Sequence, residues 1–160
     1  MIFLSSIVIP LLILIPNMIF FALKPTNVSV VNNESNNTAE KILTAFEWLG
    51  RIGIFILPIF YKINTSSTQI KVFLLLMILS LGIYYACWRR FFVRNRDYSL
   101  LFKPLWLIPI PMAVSPILYM LFASFVLNSK LLLLSTVLLS IGHIPISYNE
   151  YKRTLAITKV

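Results

Sequence analysis

The sequence predicts an all-α membrane protein: a single bundle of five transmembrane helices, with the N-terminus outside and the C-terminus in the cytoplasm. Three observations predict it. The 160 residues are 59% hydrophobic and 12% charged, where ordinary globular chains are about 45–50% apolar and about 25% charged. Apolar runs recur at about the 20 residues that a helix needs to cross a bilayer, and the mean hydropathy is +0.87. The lysines and arginines also fall unevenly between alternate loops. Five such spans leave short connections and no separate water-soluble catalytic domain.

The first span runs from Ile2 to Leu23. It lacks the positive start and the small-x-small cleavage site of a signal peptide, so it reads as a retained helix, bent near Pro10 and Pro16. Residues 24–40 hold the one strongly polar loop, rich in asparagine and serine, which compete with the helical backbone for hydrogen bonds. Asn27, Asn33 and Asn36 each begin an N-x-S/T triplet there. The second span covers 41–61 and the third 70–88. The fourth covers 101–127 and the fifth 131–148, joined by Asn128-Ser129-Lys130, a link that only an antiparallel hairpin satisfies. Pro104, Pro109, Pro111 and Pro116 crowd the fourth span. Each removes an amide donor and disfavours α geometry in the residue before it, which predicts a kinked or broken helix whose freed carbonyls need other partners.

Orientation follows from the basic residues, which collect in cytoplasmic loops. With five spans, one side carries Lys24, Lys41, Arg89, Arg90, Arg94, Arg96, Lys103, Lys152, Arg153 and Lys159. The other side carries Lys62, Lys71 and Lys130. On a chain this apolar the net charge of +9 points to anionic lipid headgroups rather than nucleic acid. Arg89, Arg90, Arg94, Arg96 and Lys103 are the expected headgroup residues, each contributing about 1 kcal/mol beside an anionic leaflet. Phe91 and Phe92 would dip into the interface. The expected location is the plasma membrane.

Several chemistries are excluded. Cys87 is alone, so no intramolecular disulfide and no Cys-based zinc set can form. No P-loop, dinucleotide fingerprint, HExxH or GxSxG occurs, and no cofactor or metal is expected.

The remaining signals are polar groups at membrane depth. Glu47 and Arg51 stand four residues apart, on one helical face, with the acid on the favourable N-terminal side. Counted from Lys41 they lie about 9 and 15 Å deep, where insertion scales charge about 2.5–3.5 kcal/mol per ionised side chain. They must pair, face the bundle interior or reach water. Gly50 and Gly53 beside them allow close approach of a helix or ligand. Thr136, Ser140, His143 and Ser147 form a second stripe at helical spacing, with Pro145 bending the helix beside the histidine. Ser115 and Tyr119 share a face beside the proline-rich break. Tyr84, Tyr85 and Trp88 read as an interfacial aromatic belt. Because the fourth and fifth spans pair, the break and the histidine can meet, and Glu47, Arg51, Ser115, Tyr119, Ser140 and His143 form the candidate ligand-binding set.

The size matches the tryptophan-rich sensory/translocator proteins, but the first half lacks their Trp-Pro-rich pattern. Gly50-Arg51-Ile-Gly53, Gly142-His143-Ile and Arg96-Asp-Tyr-Ser-Leu-Leu-Phe-Lys-Pro104 resemble small bacterial five-helix integral membrane proteins with no assigned activity. That resemblance implies the architecture and nothing more. The expected function is binding or translocation of a small solute, lipid or ion through the polar interior. An accessory or assembly subunit, docked on another copy or on a larger membrane protein, is the alternative. A membrane enzyme with Glu47 or His143 as general base is a further one, and no second acid, nucleophile or metal cluster at matching depth supports it.

Overall fold

The computed structural model describes residues 3–27, 38–63, 67–105 and 108–157. Asn33, Asn36 and Lys159 lie outside them. Helices α1 (Leu4–Ala22), α2 (Thr38–Ile56), α3 (Thr68–Val93), α4 (Pro111–Val126) and α5 (Lys130–Ile157) make up the fold, with 3-10 turns at Leu57–Phe60 and Tyr98–Leu101. No strand occurs among the described residues. Four of the helices are long and apolar enough to cross a bilayer, and α4 is the shorter one. At 16 residues it rises about 24 Å, against a hydrocarbon core of about 30 Å. The outward surface is apolar, with Met18 and Trp48 both 63% exposed. Such a surface suits lipid as the surrounding solvent.

Helices α2 and α5 form one antiparallel seam and α3 and α4 another; α4 and α5 join them, and α1 lies against α3 and the Leu57–Phe60 turn. The α2–α5 register is set by small residues. A Cβ on Gly53 would strike Ser135, one on Gly50 would lie 2.6 Å from the Leu139 Cα, and one on Gly142 would lie 2.6 Å from the Glu47 backbone nitrogen. At the end of the seam Glu40 meets Arg153 at 3.9 Å, and Arg153 also pairs with Glu150. Stacked rings at Phe73 and Phe125, 4.7 Å apart, close the α3–α4 seam at its opposite end.

Local chemistry explains most boundaries. Ser67 caps α3 by accepting from the Gln69 amide at 3.2 Å, and Ser129 caps α5 by accepting from the Leu132 amide at 3.1 Å. These caps satisfy first-turn donors that no helical carbonyl reaches. Asn128 (φ 48°) turns the α4–α5 hairpin; asparagine tolerates the left-handed region. Helix α1 runs on through Pro10 and Pro16. Pro16 has no amide to give the Leu12 carbonyl, and the Tyr85 hydroxyl donates to that carbonyl instead at 2.7 Å.

The chain ends and turns gather at two poles. Thr26 pairs with the turn after α3, its amide donating to Arg96 (2.9 Å) and its carbonyl accepting from Tyr98 (3.1 Å). Tyr98 also lies in the field of Glu150 and Arg153 on α5. Burial pushes its phenol up, Glu150 adds to the rise and Arg153 opposes it. The strongly basic segments therefore share one pole, and Lys62, Lys71 and Lys130 stand at the other.

Three boundaries differ from the sequence expectation. Helix α3 continues past Trp88 to Val93, and α5 continues past Tyr148 to Ile157, so charged ends extend apolar helices. The fourth span is not helical from Leu101: α4 begins at Pro111. A proline there loses nothing, because a first-turn amide has no helical acceptor. Ile110 before it adopts φ 41° and ψ 56° while only 3% exposed. For a β-branched residue that is a strained conformation, held in place by its buried side chain.

Candidate functional site

The α2–α5 seam brings the predicted ionisable groups together. One oxygen of Glu47, Oε1, accepts from Arg51 one turn away on α2 and lies 2.8 Å from His143 Nδ1 across the seam. The carboxylate side chain is 11% exposed, the imidazole 25% and the guanidinium 48%. Glu47 thus sits innermost and the two bases stand outside it. The close approach comes from Gly142, which leaves no side chain between the α5 backbone and Glu47. A buried carboxylate without partners would be severely destabilising; with two bases on one oxygen its charge is met.

Arg51 and His143 open onto a cavity of about 310 Å³ lined by residues from all five helices. That is the low end of the range for small-ligand sites, roughly 300–1,000 Å³. Asn17, Arg51, His143 and Ser147 supply its polar wall, and the remainder is largely apolar, including Phe20, Phe55, Ile117 and Leu139. Pro116 also lines it, so the α4 proline and the α5 histidine do share an interior. Phe21, 76% exposed, lines the cavity as well, so the space reaches the outer surface along α1. Leu101 and Phe102, in the non-helical stretch before α4, close the side towards the basic pole.

The wall is braced by hydrogen bonds. The Asn17 amide donates to the Ile13 carbonyl at 2.8 Å and to the Tyr84 hydroxyl at 2.9 Å. Tyr84 is 3% exposed and lies within electrostatic reach of Arg51. Trp88 packs edge-on to Phe20 (5.8 Å between centroids) and stacks on Phe92 (5.4 Å). Its indole Nε1 is buried, with the Tyr84 hydroxyl as its polar neighbour.

Of the sequence-predicted ligand residues, Arg51 and His143 line the cavity and Glu47 sits behind them. Ser115, Tyr119 and Ser140 stand off its wall. Ser115 donates to the Pro111 carbonyl at 2.6 Å, Ser140 to the Val137 carbonyl at 2.8 Å, and Tyr119 to the Ile9 carbonyl at 3.1 Å. These hydroxyls satisfy backbone carbonyls, the first beside Pro116. Asn17 went unremarked in the sequence; it is the one amide in an unbroken apolar run, and that was the available signal. Tyr84 is an interior strut rather than part of an interfacial belt.

The basic residues divide. Arg89 and Arg94 are exposed, and Arg96 and Lys103 half-buried. Arg90 instead turns its guanidinium onto the chain before α4, donating to the carbonyls of Leu100 (3.0 Å), Lys103 (2.7 Å) and Pro104 (2.9 Å). It staples the stretch that carries Leu101 and Phe102. No group of three or more metal-ligating side chains occurs among the described residues.

Comparison with known protein families, curated proteins and solved structures finds no match.

Proposed function

We propose that the protein is a five-span integral membrane protein of the plasma membrane, with its basic pole against the anionic cytoplasmic leaflet, and that its interior cavity binds a small apolar or amphipathic molecule. The observation that carries this reading is the cavity itself. It is bounded by all five helices, and it has a guanidinium and an imidazole on an otherwise mainly apolar wall. Intramembrane ionisable residues face interiors and mark ligand or ion paths. A polar cluster serving helix packing alone has no need of an adjoining chamber. The basic pole supports the orientation, and Arg89, Arg94, Arg96 and Lys103 are the headgroup contacts. Passage of the ligand across the membrane is the extension of this reading, with the opening beside Phe21 as its lateral door.

Native mass spectrometry of gently extracted protein tests the proposal. The wild-type chain is expected to carry a bound mass. Ala113→Trp, which places an indole into the cavity from a buried position on its wall, is expected to lose it while keeping its helical circular dichroism. A wild-type chain that flies bare, and that no apolar or amphipathic additive protects against heat, contradicts the reading.

A further inference from the structure

The polar wall of the cavity is one-sided in its chemistry. Arg51 has five N–H donors and no acceptor, and among the described residues its one side-chain hydrogen bond is to Glu47. His143 engages Glu47 through Nδ1, and its other ring nitrogen makes no hydrogen bond among the described residues. Glu47, the carboxylate of this cluster, does not line the cavity. It lies behind both bases, with the oxygen that faces them already committed. From the other helices, α3 contributes the neutral Tyr84 phenol, and α1 and α4 contribute no ionisable group to the wall. The chamber thus shows its occupant a guanidinium and an imidazole and hides the acid. Apart from the uncharged Asn17, Tyr84 and Ser147, the rest of the wall, Leu14, Phe20, Phe55, Ile117 and Leu139 among it, offers nothing to a hydrophilic ion. A free inorganic anion would lose its hydration there without replacement. An anion that carries its own apolar chain would not.

We infer that the occupant is an acyl-chain amphiphile ending in a small oxyanion, its headgroup on the Arg51 guanidinium beside His143 and its chain among the phenylalanine and leucine side chains. This rests on the reading that the cavity binds a ligand. A carboxylate and a phosphate monoester share the recognised chemistry, since both accept from the planar guanidinium fork in pairs of hydrogen bonds. Glu47 is then a positioning residue, holding both bases at the wall without touching the ligand. The opening beside Phe21 suits a molecule that arrives from the bilayer rather than from water.

The test compares dodecanoate, dodecyl phosphate, dodecanol and dodecylamine as probes of equal chain length, titrated into wild-type protein in lipid nanodiscs and read by thermal stabilisation. A charge-assisted contact predicts that one or both oxyanions bind about ten- to a hundredfold more tightly than the alcohol. The stronger of the two identifies the headgroup. In Arg51→Gln the preference over dodecanol should collapse while dodecanol binding persists. Arg51→Lys, which keeps the charge but not the fork, should retain part of the preference and serves if the glutamine variant does not fold. Equal binding of dodecanol and the oxyanions overturns the headgroup assignment but leaves the cavity reading standing. Tightest binding by dodecylamine overturns it in favour of Glu47 as the recognised charge. No stabilisation by any probe removes the cavity reading as well.

Discussion

Gly142→Ala probes the contact on which the site depends. A Cβ there would lie 2.6 Å from the Glu47 nitrogen and 2.8 Å from the Glu47 Cβ, and closer still to the Leu43 carbonyl oxygen, where ordinary contact begins at 3.4 Å. Two of the three obstacles are backbone atoms, which cannot swing aside as a side chain would. Helices α2 and α5 must therefore move apart by most of an ångström at this point. Overpacking of this kind costs about 1–3 kcal/mol, and rigid backbone neighbours put it at the upper end. Alanine's better helix propensity returns up to about 1 kcal/mol, leaving a net loss of about 2 kcal/mol. Gly82→Ala is the internal control. Its Cβ would meet nothing within 4 Å, so only the propensity gain applies. Equilibrium unfolding in mixed micelles measures both. Equal stability of Gly142→Ala and wild type, or an equal loss in Gly82→Ala, would refute the close-packed seam.

Two further outcomes follow from single side chains. Arg90→Ala should leave three backbone carbonyls between Leu100 and Pro104 without their donor. Limited proteolysis should then cut that stretch faster than in the wild type while α3 stays protected; an unchanged cleavage rate would place the staple elsewhere. Trp88→Phe removes a buried indole N–H whose polar neighbour is the Tyr84 hydroxyl. With no well-formed hydrogen bond to lose among the described residues, thermal unfolding should shift by less than about 1 kcal/mol equivalent, whereas a much larger loss would mean that the N–H is firmly bonded to Tyr84.

How much of this was legible in the sequence depends on the kind of signal. Glu47 and Arg51 announced themselves because two charges in an apolar run can be stable only inside a bundle, and His143 joined them through the polar stripe on α5. The partner helix was not legible. Gly142 fixes the α2–α5 register, and a glycine inside an apolar helix gives no hint of which backbone it faces. The start of α4 was misplaced because four prolines show where a helix is weakened, not where it resumes; Pro111 at the first turn decided that. Arg90 was grouped with the headgroup arginines by charge alone, although its target is a set of carbonyls on the chain that follows. Ser115 and Tyr119 were read as site residues because hydroxyls among prolines attract notice. In the structure their hydroxyls donate to the carbonyls of Pro111 and Ile9.

The central claim is that Glu47 and His143 meet across the α2–α5 seam and hold Arg51 at the cavity wall. A double-mutant cycle measures it most directly, with Glu47→Ala and His143→Ala separately and together, read as unfolding free energy in bicelles. Interhelical contacts in membrane proteins couple by about 0.6 kcal/mol on average and up to about 1.7, and a charged partner places this pair at the high end, so a coupling of about 1 kcal/mol or more is predicted. Strict additivity of the two substitutions would contradict the account.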